Sequence, residues 1–89
     1  MILKKTNSFE KTFKKLHQNQ REDVLLAIET VVTNPDIGEK KIGDLDGVRV
    51  YKFKIVNQLA LLAYEFNSDE IMLLSLGSHQ NFYENLKRK

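Results

Sequence analysis

The chain has 89 residues, no cysteine, one proline, four glycines and a hydrophobic content of 42%. That is apolar material for one core, and a chain this short buries only about 60–65% of the surface its unfolded form exposes, so its stability margin is narrow. A disulfide framework and a thiolate metal site are excluded, and the longest apolar run, Leu59 to Tyr64, falls far short of the ~20 residues a membrane span needs.

Residues 1–89 therefore read as one domain, soluble and cytoplasmic, because Met1 to Lys5 carries no apolar run of signal-peptide length. The net charge of +2 is unevenly spread. Residues 19–39 hold five acids and one base, which leaves 13 bases against 7 acids in the remainder. A basic face set apart from an acidic helix follows, and such a face suits an anionic partner.

Met1 to Lys5 is β-capable and reads as an opening strand with Ile2 buried. Asn7-x-x-Glu10 has capping-box spacing, and Phe9, Phe13 and Leu16 fall on one helical stripe. A first helix is predicted over Ser8–His17, with His17 structural. Asn19-x-x-Glu22 repeats the capping pattern, and Val24, Leu25, Ile28, Val31 and Val32 form a second stripe. This helix stops near Asn34, because Pro35 disfavours helical geometry in the residue before it. Two adjacent helices make an αα-hairpin whose apolar stripes must pack on a sheet.

Residues 35–47 form a polar connection, with Ile37, Ile42 and Leu45 expected to pin it to the core. From Arg49 the period becomes two: Arg49, Tyr51, Phe53 and Ile55 share one face, and Val50, Lys52 and Lys54 the other. Asn57-Gln58 is the expected turn into a nearly all-apolar strand, Leu59 to Phe66. Asn67-Ser68-Asp69 turns the chain into a further strand, Glu70 to Leu76. Ser78 can cap a last helix through Phe82, Tyr83 and Leu86, before the basic tail Lys87-Arg88-Lys89. The expected architecture is α+β: an N-terminal strand and αα-hairpin packed on an antiparallel sheet of about four strands, with a short C-terminal helix.

Several segments in this order resemble the RelE/ParE superfamily of toxins from type II toxin–antitoxin systems. They are Gly43-Asp44-Leu45-Asp46-Gly47, Val50 to Ile55, Leu61 to Phe66, and Leu76-Gly77-Ser78-His79 followed by Tyr83. The resemblance spans essentially the whole chain and implies a compact toxin silenced by a cognate antitoxin. RelE-type members cleave mRNA in the ribosomal A site, without cofactor or metal; ParE-type members poison DNA gyrase. Gly77-Ser78-His79 is similar to the Gly-Thr-His ending of YafQ-like ribonucleases. Two departures stand out. Leu61 occupies the place of an arginine that RelE-like toxins carry, and the acid–histidine pair of YafQ-like toxins is not found.

Cleaving RNA through its own 2′-hydroxyl needs a base, an acid for the 5′-oxygen, and positive charge at the phosphate. Lys52 and Lys54 project to one side of their strand, and their family counterparts lie in the active site. His79 has an intrinsic pKa suited to either proton-transfer role. Tyr83 matches the family's C-terminal tyrosine and would orient substrate. Arg49, Lys87 and Arg88 are the candidate nucleic-acid contacts. The expected partners are an antitoxin, the ribosome and mRNA, with gyrase as the alternative target.

Overall fold

The computed structural model describes residues 2–41, 43 and 47–78. Its elements run β1 (Ile2–Lys5), α1 (Asn7–Lys14), α2 (Gln18–Thr33), a 3₁₀ turn (Pro35–Ile37), β2 (Glu39–Lys40), β3 (Arg49–Ile55), β4 (Gln58–Phe66) and β5 (Glu70–Gly77). The five strands lie in the order β1-β5-β4-β3-β2. This is the expected α+β arrangement, with both helices on one face: α1 lies over β5 and α2 over β3. No described helix is long and apolar enough to cross a membrane.

The sheet is larger than expected and not wholly antiparallel. β2, Glu39–Lys40, pairs with β3 where a loop was anticipated. β1 pairs parallel with β5, because the helical hairpin and three further strands separate the two and return the chain in the same direction. As an edge strand β1 is exposed throughout, and Ile2 is 57% accessible rather than buried.

The first helix is capped by Thr6, not Asn7. Thr6 Oγ1 accepts from Phe9 N–H (3.1 Å) and donates to Leu74 O (2.7 Å). That carbonyl lies at an irregularity in β5: Ala63 pairs with Ser75 and Tyr64 with Leu73, which leaves Leu74 as an extra residue. One threonine thus ends a helix and ties it to a bulge, and the tertiary bond outcompetes the local Asn7/Glu10 box. The second helix starts earlier than its expected cap, so Asn19 and Glu22 lie within its first turns. His17 belongs to neither helix interior; it is the N-cap of α2, and its backbone N–H donates to Gln20 Oε1 (2.8 Å).

The main core joins Phe9 of α1 and Val24 and Val31 of α2 to Leu62, Tyr64, Ile71, Leu73 and Leu76 of the sheet. Fully burying each such side chain stabilises by about 1.5–3 kcal/mol. α2 is rotated from its expected setting. Val24, Ala27 and Val31 point inward, while Leu25 and Leu26 are 54% and 63% accessible. The bulge keeps Leu73 and Leu76 on the helix side together. On the opposite face Val48, Val50, Leu61 and Ala63 form a second buried cluster with Leu74 against it.

The β3–β4 turn falls one residue earlier than expected. Ile55 pairs with Gln58, and Val56 and Asn57 both have positive φ (45° and 71°). Two left-handed residues describe the tight hairpin whose twist matches the strands. Asp23 of α2 accepts from Val56 N–H (2.8 Å) and pins the tip. The Asn67 turn is as expected: its side chain accepts from Asp69 and Glu70 N–H (2.9 and 3.0 Å). Ile37 does not anchor the 35–41 connection, being 41% accessible. Ile42, Leu45 and the anticipated C-terminal helix lie outside the described residues.

Candidate functional site

β3 is a boundary between two environments because its residues alternate. Tyr51, Phe53 and Ile55 turn toward the helices and are half-buried against the core. Lys52 and Lys54 turn the other way and are exposed. They stand opposite Leu61 and Leu59 of β4. Neither ammonium forms an ion pair among the described residues, so both charges are presented to solvent.

Lys52, Leu61 and Gly77 form one row across three strands, since Lys52 pairs with Leu61 and Leu61 with Gly77. Strand spacing puts the Lys52 and Gly77 backbones about 10 Å apart. β5 therefore ends, at Gly77, in register with Lys52 and two strands away from it. His79, Tyr83, Lys87 and Arg88 lie outside the described residues.

Leu61, in the middle of that row, is fully buried. It packs in the cluster of Val48, Val50 and Ala63. The position at which RelE-like toxins place an arginine is thus a buried apolar residue in this chain. An arginine introduced there would need a charged partner that the cluster does not contain.

On the far side of β3, Glu39 pairs with Val50, which puts it diagonal to Lys52 on the same face. Lys41 Nζ donates to Glu39 Oε1 (3.1 Å). That hydrogen bond, then the charge of Lys41, hold the Glu39 carboxyl below its ordinary value of 4.5 against a small desolvation, and Lys52 adds to the effect. The exposed face therefore holds three lysines and an ionised acid in one neighbourhood. Glu39 and Lys41 are missing from the sequence-derived site because Glu39-Lys40-Lys41 reads as a polar loop. Only the pairing with β3 gives them a direction.

Arg49 lies on the helix side, opposite Lys52 and Lys54, as the period-two pattern requires. Its guanidinium donates to Gly38 O (2.9 Å) and Asp36 O (3.2 Å), meets the Asp36 carboxylate at 3.3 Å, and sits over the Phe66 ring at 5.5 Å. These contacts clamp the 35–38 connection to the sheet and leave its side chain 21% accessible. Tyr64 is the second clamp: its hydroxyl donates to Pro35 O (2.6 Å) and accepts from Gly38 N–H (2.9 Å). Among the described residues no group of His, Asp or Glu could hold a metal ion.

Chemically, the two exposed ammonium groups can neutralise a phosphate. A family profile described as ParE-like toxin of type II bacterial toxin–antitoxin system matches residues 3–87. Among solved structures, a free mutant form of the Escherichia coli RelE toxin superposes with a TM-score of 0.74 at 17% identity. That match covers 98% of this chain and 90% of the other. The toxin–antitoxin complex RelBE of E. coli matches with a TM-score of 0.69 and 21% identity, over 89% of this chain and 96% of that one. A conserved hypothetical protein of Helicobacter pylori is 31% identical, with a TM-score of 0.55, over 89% of this chain and 94% of its own. No curated protein matches.

Proposed function

The chain belongs to the ParE-like toxins of type II bacterial toxin–antitoxin systems, and we propose that it is an mRNA endoribonuclease that arrests translation on the ribosome until a cognate antitoxin sequesters it. The observation that carries this reading is the pair of ammonium groups of Lys52 and Lys54, exposed and without an ion pair among the described residues, in the row of the sheet that ends at Gly77 of β5. The likeness to the RelE fold supports it, and the RelBE complex supports an antitoxin partner.

In the proposed reaction the 2′-hydroxyl attacks the adjacent phosphorus and the 5′-oxygen leaves, giving a 2′,3′-cyclic phosphate. The hydroxyl's proton passes to a base and the leaving oxygen receives one from an acid. His79 serves one of these roles, and Lys52 and Lys54 neutralise the charge that grows on the phosphate oxygens. Tyr83 orients the substrate, and Lys87 and Arg88 contact RNA. Arg49, taken up by the 35–38 connection, acts through the fold. No cofactor enters the scheme.

Induction in cells followed by mapping of mRNA 5′ ends tests this reading. New ends within translated codons are expected from the wild type and not from His79→Ala. Full cleavage by that variant would remove His79 from the reaction.

A second reading, inhibition of DNA gyrase by binding alone, is favoured by one observation. Leu61 is a buried apolar residue where a ribonuclease of the RelE kind has a charge. Growth arrest with intact mRNA and an induced DNA-damage response would decide for it.

A further inference from the structure

β3 has one covered end and one bare end. β2 pairs only with its first two residues, Arg49 and Val50, and among the described residues no strand lies along its outer side from Tyr51 to Ile55. The hairpin fixes which residues look outward there. Its two-residue turn closes on Ile55 and Gln58, a pair that exchanges both hydrogen bonds. Phe53 and Tyr51 therefore bond inward to β4, and Lys52 and Lys54 turn their N–H and C=O groups to the open side. The bond from Lys41 N–H to Val48 O (2.9 Å) has the same parity, since Val48 too faces away from β4. Strand rise sets the two outward N–H groups about 7 Å apart.

The residues that look outward are thus the two lysines, and main-chain donors coincide with ammonium groups along one rim. Leu59, 47% accessible, stands opposite Lys54 on the same face. Such a rim suits few strands. A second copy paired antiparallel over these residues would set lysine opposite lysine, which is destabilising. An RNA strand carries the complementary pattern: its phosphates accept from N–H groups and attract ammonium groups, and its 2′-hydroxyls can donate to carbonyls. Glu39, held ionised at the covered end of β3, repels phosphate from there.

We infer that the open β3 edge is a rail for a single RNA strand. The main-chain N–H groups of Lys52 and Lys54 donate to its phosphates, their C=O groups accept from its 2′-hydroxyls, and Leu59 meets one base. The assignment rests on the ribonuclease reading above and gives that reading the donors that Leu61 withholds: main-chain dipoles, fixed in place by the sheet, stand in for the absent arginine. Because a backbone reads no base edges, the rail selects RNA over DNA rather than one sequence over another.

Fluorescence anisotropy of short labelled single strands, RNA and DNA of one sequence, tests the rail. The wild type is expected to bind the RNA several-fold or more tightly. Lys54→Ala removes the ammonium and keeps the N–H. Lys54→Pro removes both, at an edge position whose N–H faces solvent and where proline is tolerated. Lys54→Pro is expected to bind RNA about tenfold or more weakly than Lys54→Ala, the scale of a hydrogen bond to a charged group, at the same melting temperature. Leu59→Ala is expected to weaken both strands a few-fold, and an unchanged affinity removes Leu59 from the rail. Equal RNA binding by Lys54→Ala and Lys54→Pro overturns the rail. So does equal affinity of the wild type for RNA and DNA, a comparison that decides even where proline unfolds the chain. Cleavage of programmed mRNA by the wild type would then leave the ribonuclease reading standing, whereas uncleaved mRNA removes that reading itself. Sedimentation of the free chain as a dimer that Lys54→Pro dissolves assigns the edge to a second copy instead.

Discussion

Tyr64 and Arg49 hold the 35–38 connection to the sheet, and the tyrosine can be tested alone. Tyr64 is completely buried, with its hydroxyl between Pro35 O and Gly38 N–H. Tyr64→Phe leaves both groups unpaired and should cost about 1–3 kcal/mol in urea unfolding. Gly38→Ala should be at least as damaging, because a Cβ there would stand 2.6 Å from the Tyr64 hydroxyl oxygen. Burial pushes the Tyr64 phenol above its ordinary value of 10.0, with the Gly38 bond and Arg49 acting in the opposite direction. A group raised in the folded state stabilises below its unfolded pKa and loses that contribution as pH climbs through the folded one. Absorbance titration of the phenols should therefore lose, in Tyr64→Phe, a step above pH 10.0 that in the wild type accompanies falling stability. Val56 is strained in a different way. A β-branched residue at φ 45° is costly, and Val56→Asn should raise stability by about 1 kcal/mol, since asparagine accepts the left-handed region. An unchanged midpoint would mean that the Val56 side chain offsets its own backbone cost.

At the scale of elements, Thr6 joins α1 to β5 through two hydrogen bonds of one hydroxyl. Thr6→Ala should cost more than an ordinary cap, about 2 kcal/mol or above, whereas Thr6→Ser should recover most of the loss. The helices were legible because apolar residues recur near 3.6, β3 because its residues alternate, and β4 and β5 because they are apolar runs bounded by turn residues. What local pattern could not supply was the choice among competing signals. Leu25 and Val32 fit the α2 stripe as well as Ala27 does, and only the packing of α2 on β3 selects Ala27. Asn7 has a better capping spacing than Thr6, but no sequence rule registers a carbonyl acceptor at a bulge 68 residues away. The parallel partner of β1 and the pairing of β2 with β3 are long-range facts of the same kind. The turn at Val56-Asn57 was misplaced by one residue because valine is the last choice for a left-handed position.

For the whole molecule, the division of labour follows from the two faces of one sheet. The helix-covered face supplies stability, and the other carries Lys52, Lys54, Glu39 and Lys41 around the buried Leu61. The lysine pair and the opposite setting of Arg49 were readable from strand alternation alone. Glu39 and Lys41 were not, since their strand is two residues long. The claim on which the functional account turns is that the two exposed ammonium groups act on a phosphodiester. Cleavage of mRNA on programmed ribosomes, timed for the wild type and for a Lys52→Ala, Lys54→Ala double variant, tests it most directly. Because both side chains are exposed, the variant should fold as the wild type does. Its cleavage rate should fall by about a hundredfold or more, the scale of losing electrostatic stabilisation of a transition state. A double variant that cleaves at the wild-type rate, or a wild type that arrests growth and leaves programmed mRNA whole, would contradict the account.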